Sequence, residues 1–582
     1  MQLNRTAISL LIASALGNIP GAFAGDRRND EQHDDSIKHV LLISVDGLHQ
    51  GDLDWYVNQH PNSTLAKLVN AGVEYTNART PFPSDSFPGM VGQVTGGNPK
   101  TTGIYYDDAY SRDLLPKGTT KAACKTTAKG AEVFYAEVIA KDLNRIDSGQ
   151  GIPGLYKAGV TDLSQIFQLT GQPIALIDPT LLPVDPTSCN PVYPHQYLRV
   201  NTIFEVAHAQ RLHTAWSDKH VAYEILSGPS GMGIDDLFAP EINSNVADPS
   251  SFTPYGSGPD WTKDNTDTQR YDAVKVQAVL NWIHGHDHAG NDHPGTPAIF
   301  GMNFQAVSTA QKLNTSNYYL DPRNPGTISA GLGGYINGST PGPVLQSALN
   351  FVDDSLTDMV AAIDPHDTTV IVSAKHGQSP QNRADLTIIN DGNMIDALNR
   401  AWDPTYQTDG TLPLVAHAID DDGIYMWLND RSGKAITFAK RFLWNYSGFG
   451  IGSDPAGTVI PNKPFDHAGT TAIYAGEDAV DLFHAAENDG RVPDLVGIAQ
   501  HGVVWAGGKL SKIAEHGGAA EQDRHVPIVV WGAHIRHRIV IGPVETTQIA
   551  PTILKLLGLD PQQLIAVRKE GTAVLPELSE DR

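Results

Sequence analysis

Residues 81–97 read PFPSDSFPGMVGQVTGG, and the fold class turns on this stretch. Two prolines around Phe82 set an extended approach, after which FPGMVGQVTG carries the pattern of a helix. Ser86 falls at the turn between them. A hydroxyl there can be a nucleophile, because the free N–H groups of a helix start and its positive dipole end stabilise an anion held against it. It can equally be an N-cap, with Pro88 in the first turn.

Three other stretches bear on that choice. Upstream, HVLLISVDGLHQGDL (39–53) sets Asp46 at the carboxyl end of a short apolar strand. Downstream, DTTVIVSAKHGQSP (367–380) runs a β-branched strand into Lys375, His376 and Gly377. In AEHGGAAEQDRHVPIVVWG (514–532), His516 is followed by two glycines and then a buried strand. Ligands of open parallel sheets lie beyond the carboxyl ends of the strands, so Asp46, Ser86, His376 and His516 are expected to meet in one crevice.

The order VDG, then a hydroxyl residue at a helix start closing on VTG, then HG after a strand, then EHGG, resembles the alkaline phosphatase superfamily. Its type I phosphodiesterase/nucleotide pyrophosphatase family is the nearest branch. VETTQIAPTILKLLGL (544–559) is similar to the closing helix of that superfamily, and the resemblance spans roughly 38–580. Sulfatases fit poorly, since their nucleophile sits in a C/S-x-P-x-R context and Ser86 is followed by Phe87, Pro88, Gly89 and Met90.

The resemblance implies a three-layer α/β/α fold with a largely parallel central sheet. It makes Asp46 a metal ligand, Ser86 the nucleophile and a contact of the second ion, His376 a ligand of that same ion, and His516 a ligand of the other. The family's Asp before the second histidine motif is here Lys375. Its Asp-x-x-x-His pair falls on Asn303 and Val307 of PAIFGMNFQAVS (297–308). Three expected ligands are missing, so one divalent ion, taken as Zn2+, is expected rather than two, with the Asn303 carbonyl a weak donor. Two unit charges about 4 Å apart interact by roughly 4 kcal/mol at an effective dielectric constant near 20, so an ammonium against a divalent ion would meet roughly 8 kcal/mol of repulsion. Lys375 therefore either supplies charge in place of an ion, activating Ser86 and holding a phosphate oxygen, or turns outward to solvent. Phe87 and Gly89, following the nucleophile, are candidate substrate contacts, and Gly89 stands where relatives carry an Asn.

The expected activity is hydrolysis of a phosphate ester or nucleotide. The alternatives are a phosphomonoesterase and an anion-binding protein that has lost catalysis. With 41 Lys plus Arg against 65 Asp plus Glu, the net charge of −24 argues against nucleic-acid or anionic-membrane partners. Residues 1–24 have the basic start, apolar run and small-residue AFA site of an export signal, which points to a periplasmic or secreted protein. Residues 25–37 read as a charged linker. In an exported chain Cys124 and Cys189 are expected to pair, the alternative being two buried thiols.

Strand-like runs at 39–45, 173–177, 298–303, 368–373, 423–428, 494–498 and 526–531 alternate with helical patterns at 64–72, 272–285 and 344–364, which implies a parallel sheet covered on both faces. Segments 105–160 and 310–343 read as insertions in this domain of residues 38–582, the second loop-like. Tyr105, Tyr106 and Tyr110 can stack on a base or pack on the core. AWSDKHVAYEILSGPSG (215–231) follows a strand with Asp218, Lys219, His220 and Glu224 close together, readable as support for the site or as a simple cap.

Overall fold

The computed structural model describes residues 37–582 apart from 136–137, 156–162, 247–257, 533 and 579–582. The stretches read as an export signal and, apart from Ile37, as a charged linker lie outside the described residues. Among the described residues the central sheet has nine strands. Their order is Arg538–Val540, Val73–Arg79, His525–Trp531, Thr368–Ser373, His39–Val45, Ile299–Phe304, Ala215–Ser217 and Asp236–Phe238, with Val544–Glu545 also pairing to Val73–Arg79.

His39–Val45 lies between two parallel neighbours, Leu41 opposite Val370 on one side and Phe300 on the other. Its residues from Val40 to Val45 are all buried, which is why this run shows no polar alternation. The helices Thr64–Ala71, Asn265–Ile283, Ala306–Lys312 and Pro343–Ala362 pack in one group. Ser86–Thr95, Ile203–Ala209, Ile549–Leu556 and Ile565–Glu570 pack in another. The result is the expected α/β/α arrangement.

One strand reverses the sheet. His525–Trp531 is antiparallel to both neighbours, so its amino end lies at the carboxyl edge of the others. The loop carrying His516 therefore reaches the same edge as Asp46 and His376. Val73–Arg79 is reversed again, so its carboxyl end also leads to that edge and delivers Ser86.

Several expectations about elements are corrected. The runs at 423–428 and 494–498 are strands, Gly423–Leu428 and Leu495–Ala499, but they belong to a separate antiparallel sheet with Val415–Asp420 and Thr470–Ala475. A second four-stranded sheet joins Thr387–Ile389, Gly448–Ser453, Val459–Phe465 and Val503–Trp505. Together they form an accessory region with its own core of Ile424, Met426, Leu495 and Trp505 among others. Residues 173–177 are a 3-10 turn, Pro173–Leu176, opened by proline. The 310–343 segment contains a hairpin, Thr315–Tyr319 with Ile328–Leu332, and is not merely a loop. The 105–160 segment carries the hairpin Asp108–Ser111 with Ala131–Phe134. Cys124 and Cys189 form a disulfide across 65 positions.

Candidate active site

The strand His39–Val45 ends directly at Asp46, and the helix Ser86–Thr95 begins directly at Ser86. The N-cap is Asp85, whose carboxylate accepts from Phe87 N at 3.2 Å. Ser86 is therefore not a cap, and its hydroxyl is left for other work. The same carboxylate occupies the helix start, so an anion cradle of free N–H groups after Ser86 is not what the helix offers.

Ser86 Oγ sits between two partners of opposite character. His376 Nε2 lies 3.2 Å away, while His376 Nδ1 lies 2.9 Å from Gly377 O. A carbonyl only accepts, so Nδ1 carries the ring hydrogen and Nε2 offers its lone pair to the Ser86 hydroxyl. Burial, then His516, hold the His376 pKa well below the ordinary histidine value despite Asp46, which keeps this imidazole neutral. On the other side Lys219 Nζ donates to Ser86 Oγ at 3.2 Å.

Asp46 anchors the positive groups. Its Oδ2 lies 3.6 Å from Lys219 Nζ and 3.8 Å from Lys375 Nζ. The same oxygen accepts from Gln305 Nε2 at 2.6 Å and Asn303 Nδ2 at 3.2 Å. Burial alone would raise this carboxyl's pKa, but the Lys375 and Lys219 ammonium groups outweigh it and hold it far below the usual carboxylate range. Lys375 is fully buried and points inward, so the outward alternative is removed. It donates to Asp218 Oδ1 at 3.1 Å and to Tyr223 Oη at 2.9 Å. Burial lowers its pKa, and Asp218 and Asp46 counter the shift.

His516 joins the cluster through its ring, 3.9 Å between centroids from that of His376, with Nδ1 3.2 Å from Asp85 Oδ1. The turn that brings it here demands glycine at 517. Gly517 has φ +99°, and a Cβ there would fall 1.9 Å from the Tyr106 hydroxyl.

A divalent ion needs lone-pair donors, preferably anionic oxygens or imidazole, and the residues present do not fit one. Asp46, Ser86 and the neutral imidazoles of His376 and His516 remain as donors, Asp46 Oδ1 lying 3.8 Å from His376 Nε2. Two ammonium groups already flank this carboxylate. Asn303 turns its amide hydrogen to Asp46, and the side chain at 307 is a buried valine. Asn303 Oδ1, the oxygen expected to serve an ion held with Asp46, Ser86, His376 and His516, is buried without a hydrogen-bond partner. Among the described residues, a trio of acidic and histidine side chains with ligand atoms within 4.8 Å occurs elsewhere, at Asp108, Glu132 and His417.

The substrate contacts expected at Phe87 and Gly89 are also corrected. Phe87 is buried against Tyr223, ring centroids 4.9 Å apart. A Cβ on Gly89 would lie 2.1 Å from Lys375 O, so glycine here lets the helix Ser86–Thr95 approach the strand end and leaves no room for a larger residue. Tyr105 and Tyr106 are buried against Phe483 and Tyr425, and so pack on the core. Lys219 and Asp218, which the sequence only hinted at through the charge density after Ala215–Ser217, also join this cluster. Beside the site opens a cleft of about 300 Å³ lined by Lys219, His220, Gln305, Lys312 and His516 among others. Larger hollows of about 770 and 750 Å³ lie against the helix Gly433–Asn445 and contain none of the clustered residues.

Two solved structures of alkaline phosphatase PafA share this architecture. A multiply substituted mutant of alkaline phosphatase PafA superimposes with a TM-score of 0.54 at 13% identity, covering 94% of this chain and 99% of that one. Wild-type PafA gives 0.52 at 13% identity, with 90% and 96% covered. An inactive variant of murine ectonucleotide pyrophosphatase/phosphodiesterase 5, in complex with AMP, gives 0.47 at 12% identity, with 90% and 96% covered. No curated protein sequence matches the chain significantly. The profile of type I phosphodiesterase / nucleotide pyrophosphatase matches residues 40–522, and with most of its length covered the chain belongs to that family.

Proposed function

We propose that the protein hydrolyses phosphate esters, diesters or nucleotides by transferring the phosphoryl or nucleotidyl group first to Ser86 and then to water. The observation that carries this reading is Ser86 Oγ held between the His376 lone pair and the Lys219 ammonium, both at 3.2 Å. Family membership supports phosphoric ester hydrolysis as the reaction class.

In the first step Ser86 Oγ attacks phosphorus, its proton passes to His376 Nε2, and the bond to the leaving oxygen breaks. That alkoxide recovers the proton from His376 through water in the cleft. In the second step water attacks the seryl ester and gives a proton to His376. The Oγ–P bond breaks, and Ser86 regains its hydrogen from His376. Lys219 faces the negative charge on Oγ in both steps, an interaction strongest in the transition state. His376 Nε2, 3.2 Å from Ser86 Oγ with its lone pair toward the hydroxyl, is placed for the base role.

No helix among the described residues is long and apolar enough to cross a membrane. The leader-like start and the disulfide support a protein exported to the periplasm or beyond. The deciding measurement is turnover of bis(p-nitrophenyl) phosphate and p-nitrophenyl phosphate by wild type and Ser86→Ala. Wild type is expected to cleave the diester with accumulation of a covalent Ser86 ester on rapid quench, and Ser86→Ala to do neither. Equal rates in the two proteins would defeat the reading.

A further inference from the structure

The family resemblance places divalent ions at this edge of the sheet, and the charges found there leave no place for them. Two ammonium groups, Lys219 and Lys375, stand 3.6 and 3.8 Å from the same oxygen of Asp46. Of the donor positions the resemblance assigns to the ions, 375 is a lysine, 303 an asparagine turned to donate, and 307 a buried valine. A doubly charged ion bound by Asp46 would face both ammonium groups at close range, with Asp46 shared between them and Asp218 already paired to Lys375.

We propose that the site around Ser86 binds and transfers phosphate without a divalent ion, its positive charge being supplied by Lys375 and Lys219. The two lysines are held as a built pair. Asp218 accepts from Lys375 Nζ at 3.1 Å and from the backbone N of Lys219 at 2.9 Å. Its second oxygen takes the Trp216 indole N–H at 3.0 Å. Tyr223 holds Lys375 twice, by its hydroxyl at 2.9 Å and by its ring, whose centroid lies 4.2 Å from Nζ. The dipeptide Asp218-Lys219 thus fixes one cation through its carboxylate and extends the other to Ser86. Such a cradle suits preorganised charge. The bond changes are those of the serine-ester route; the ammonium groups exchange no ligand and lose no proton.

The inference rests on the phosphate-binding part of the proposed function and is separable from its catalytic part. The full-length protein is dialysed against a chelator. Inorganic phosphate binding is then measured by calorimetry, and bis(p-nitrophenyl) phosphate turnover by absorbance, before and after addition of Zn2+, Mn2+ or Mg2+. A His417→Ala background removes binding at the Asp108, Glu132 and His417 trio. Phosphate affinity is expected to agree within about twofold with and without metal, and to fall at least tenfold in Lys375→Met, with Lys219→Met as the second probe if that variant does not fold. Lys375→Asp is expected to gain a heat of Zn2+ binding absent from its parent. Stoichiometric Zn2+ binding by the parent that is lost in Asp46→Asn would overturn the inference. So would phosphate binding that disappears on chelation and returns with metal, or that is absent in both states. Metal-free phosphate binding with no ester turnover under any condition would uphold the ion-free site while defeating the hydrolase reading.

Discussion

Lys219→Met isolates the contribution of one ammonium to the nucleophile. The substitution keeps a flexible apolar side chain and removes a charge 3.2 Å from Ser86 Oγ and 3.6 Å from Asp46 Oδ2. At an effective dielectric constant near 20, a unit charge about 3.2 Å from an alkoxide contributes about 5 kcal/mol. In the ground state the same ammonium meets a neutral hydroxyl, so most of that difference falls on the transition state. Water recovers a part, because the Lys219 side chain is 16% exposed. Loss of one preorganised donor elsewhere costs about 2.7–4 kcal/mol, so kcat is expected to fall about 10²–10³-fold. Asp46 keeps Lys375, Gln305 and Asn303, so stability should change by no more than about 1–2 kcal/mol. Initial rates with bis(p-nitrophenyl) phosphate over a range of concentrations separate kcat from KM, and urea unfolding checks the fold. A folded variant whose kcat stays within about threefold of wild type would refute alkoxide stabilisation by Lys219. A rise in KM alone would make the contact one of ground-state binding.

Three further outcomes follow from particular contacts. Gly89→Ala puts a Cβ 2.1 Å from Lys375 O, so overpacking of about 1–3 kcal/mol should appear in urea titration together with reduced turnover; unchanged stability would mean the helix can shift freely. Burial pushes the carboxyl pKa values of Asp422 and Asp523 up, Asp523 to about 6, and the neighbouring charge of Asp523 raises Asp422 further. Their protonated forms contribute stability that is complete below the unfolded value near 3.8 and lost as pH rises through the folded values. Between pH 5 and 8 the Tm of wild type should therefore decline more than that of Asp422→Asn, and parallel curves would contradict a proton held by this pair. Cys124→Ser with Cys189→Ser opens a loop of 65 positions, with an expected loss of about 4 kcal/mol on the entropy argument; a midpoint in urea equal to wild type would show that the bridge adds nothing.

Much of the site is legible in the sequence because its signals are local. Apolar runs ending in Asp46, or in Lys375 and His376, announce buried strands whose carboxyl ends carry chemistry, and the proline-framed turn at Ser86 announces a helix start. Lys219 is easily passed over, since a lysine after a strand is ordinarily a solvated side chain, and only its approach to a serine 133 positions away gives it a role. The cap lies one residue before the position the sequence suggests, because Asp85 and Ser86 are both good caps and the choice depends on which side chain the rest of the site claims. The two accessory sheets are unreadable as such: a buried strand has the same local composition whichever sheet it joins.

The α/β alternation, the family and the residues at the sheet edge are written in the chain itself, for they follow from hydrophobic periodicity, turn chemistry and short motifs. Three features emerge only on folding: His525–Trp531 runs against its neighbours and so brings His516 to Asp46, Gly89 serves a close backbone approach and not a ligand, and Lys375 turns inward beside Lys219. Each of these depends on strand direction or on contacts between distant segments, which a linear pattern of residue types does not encode.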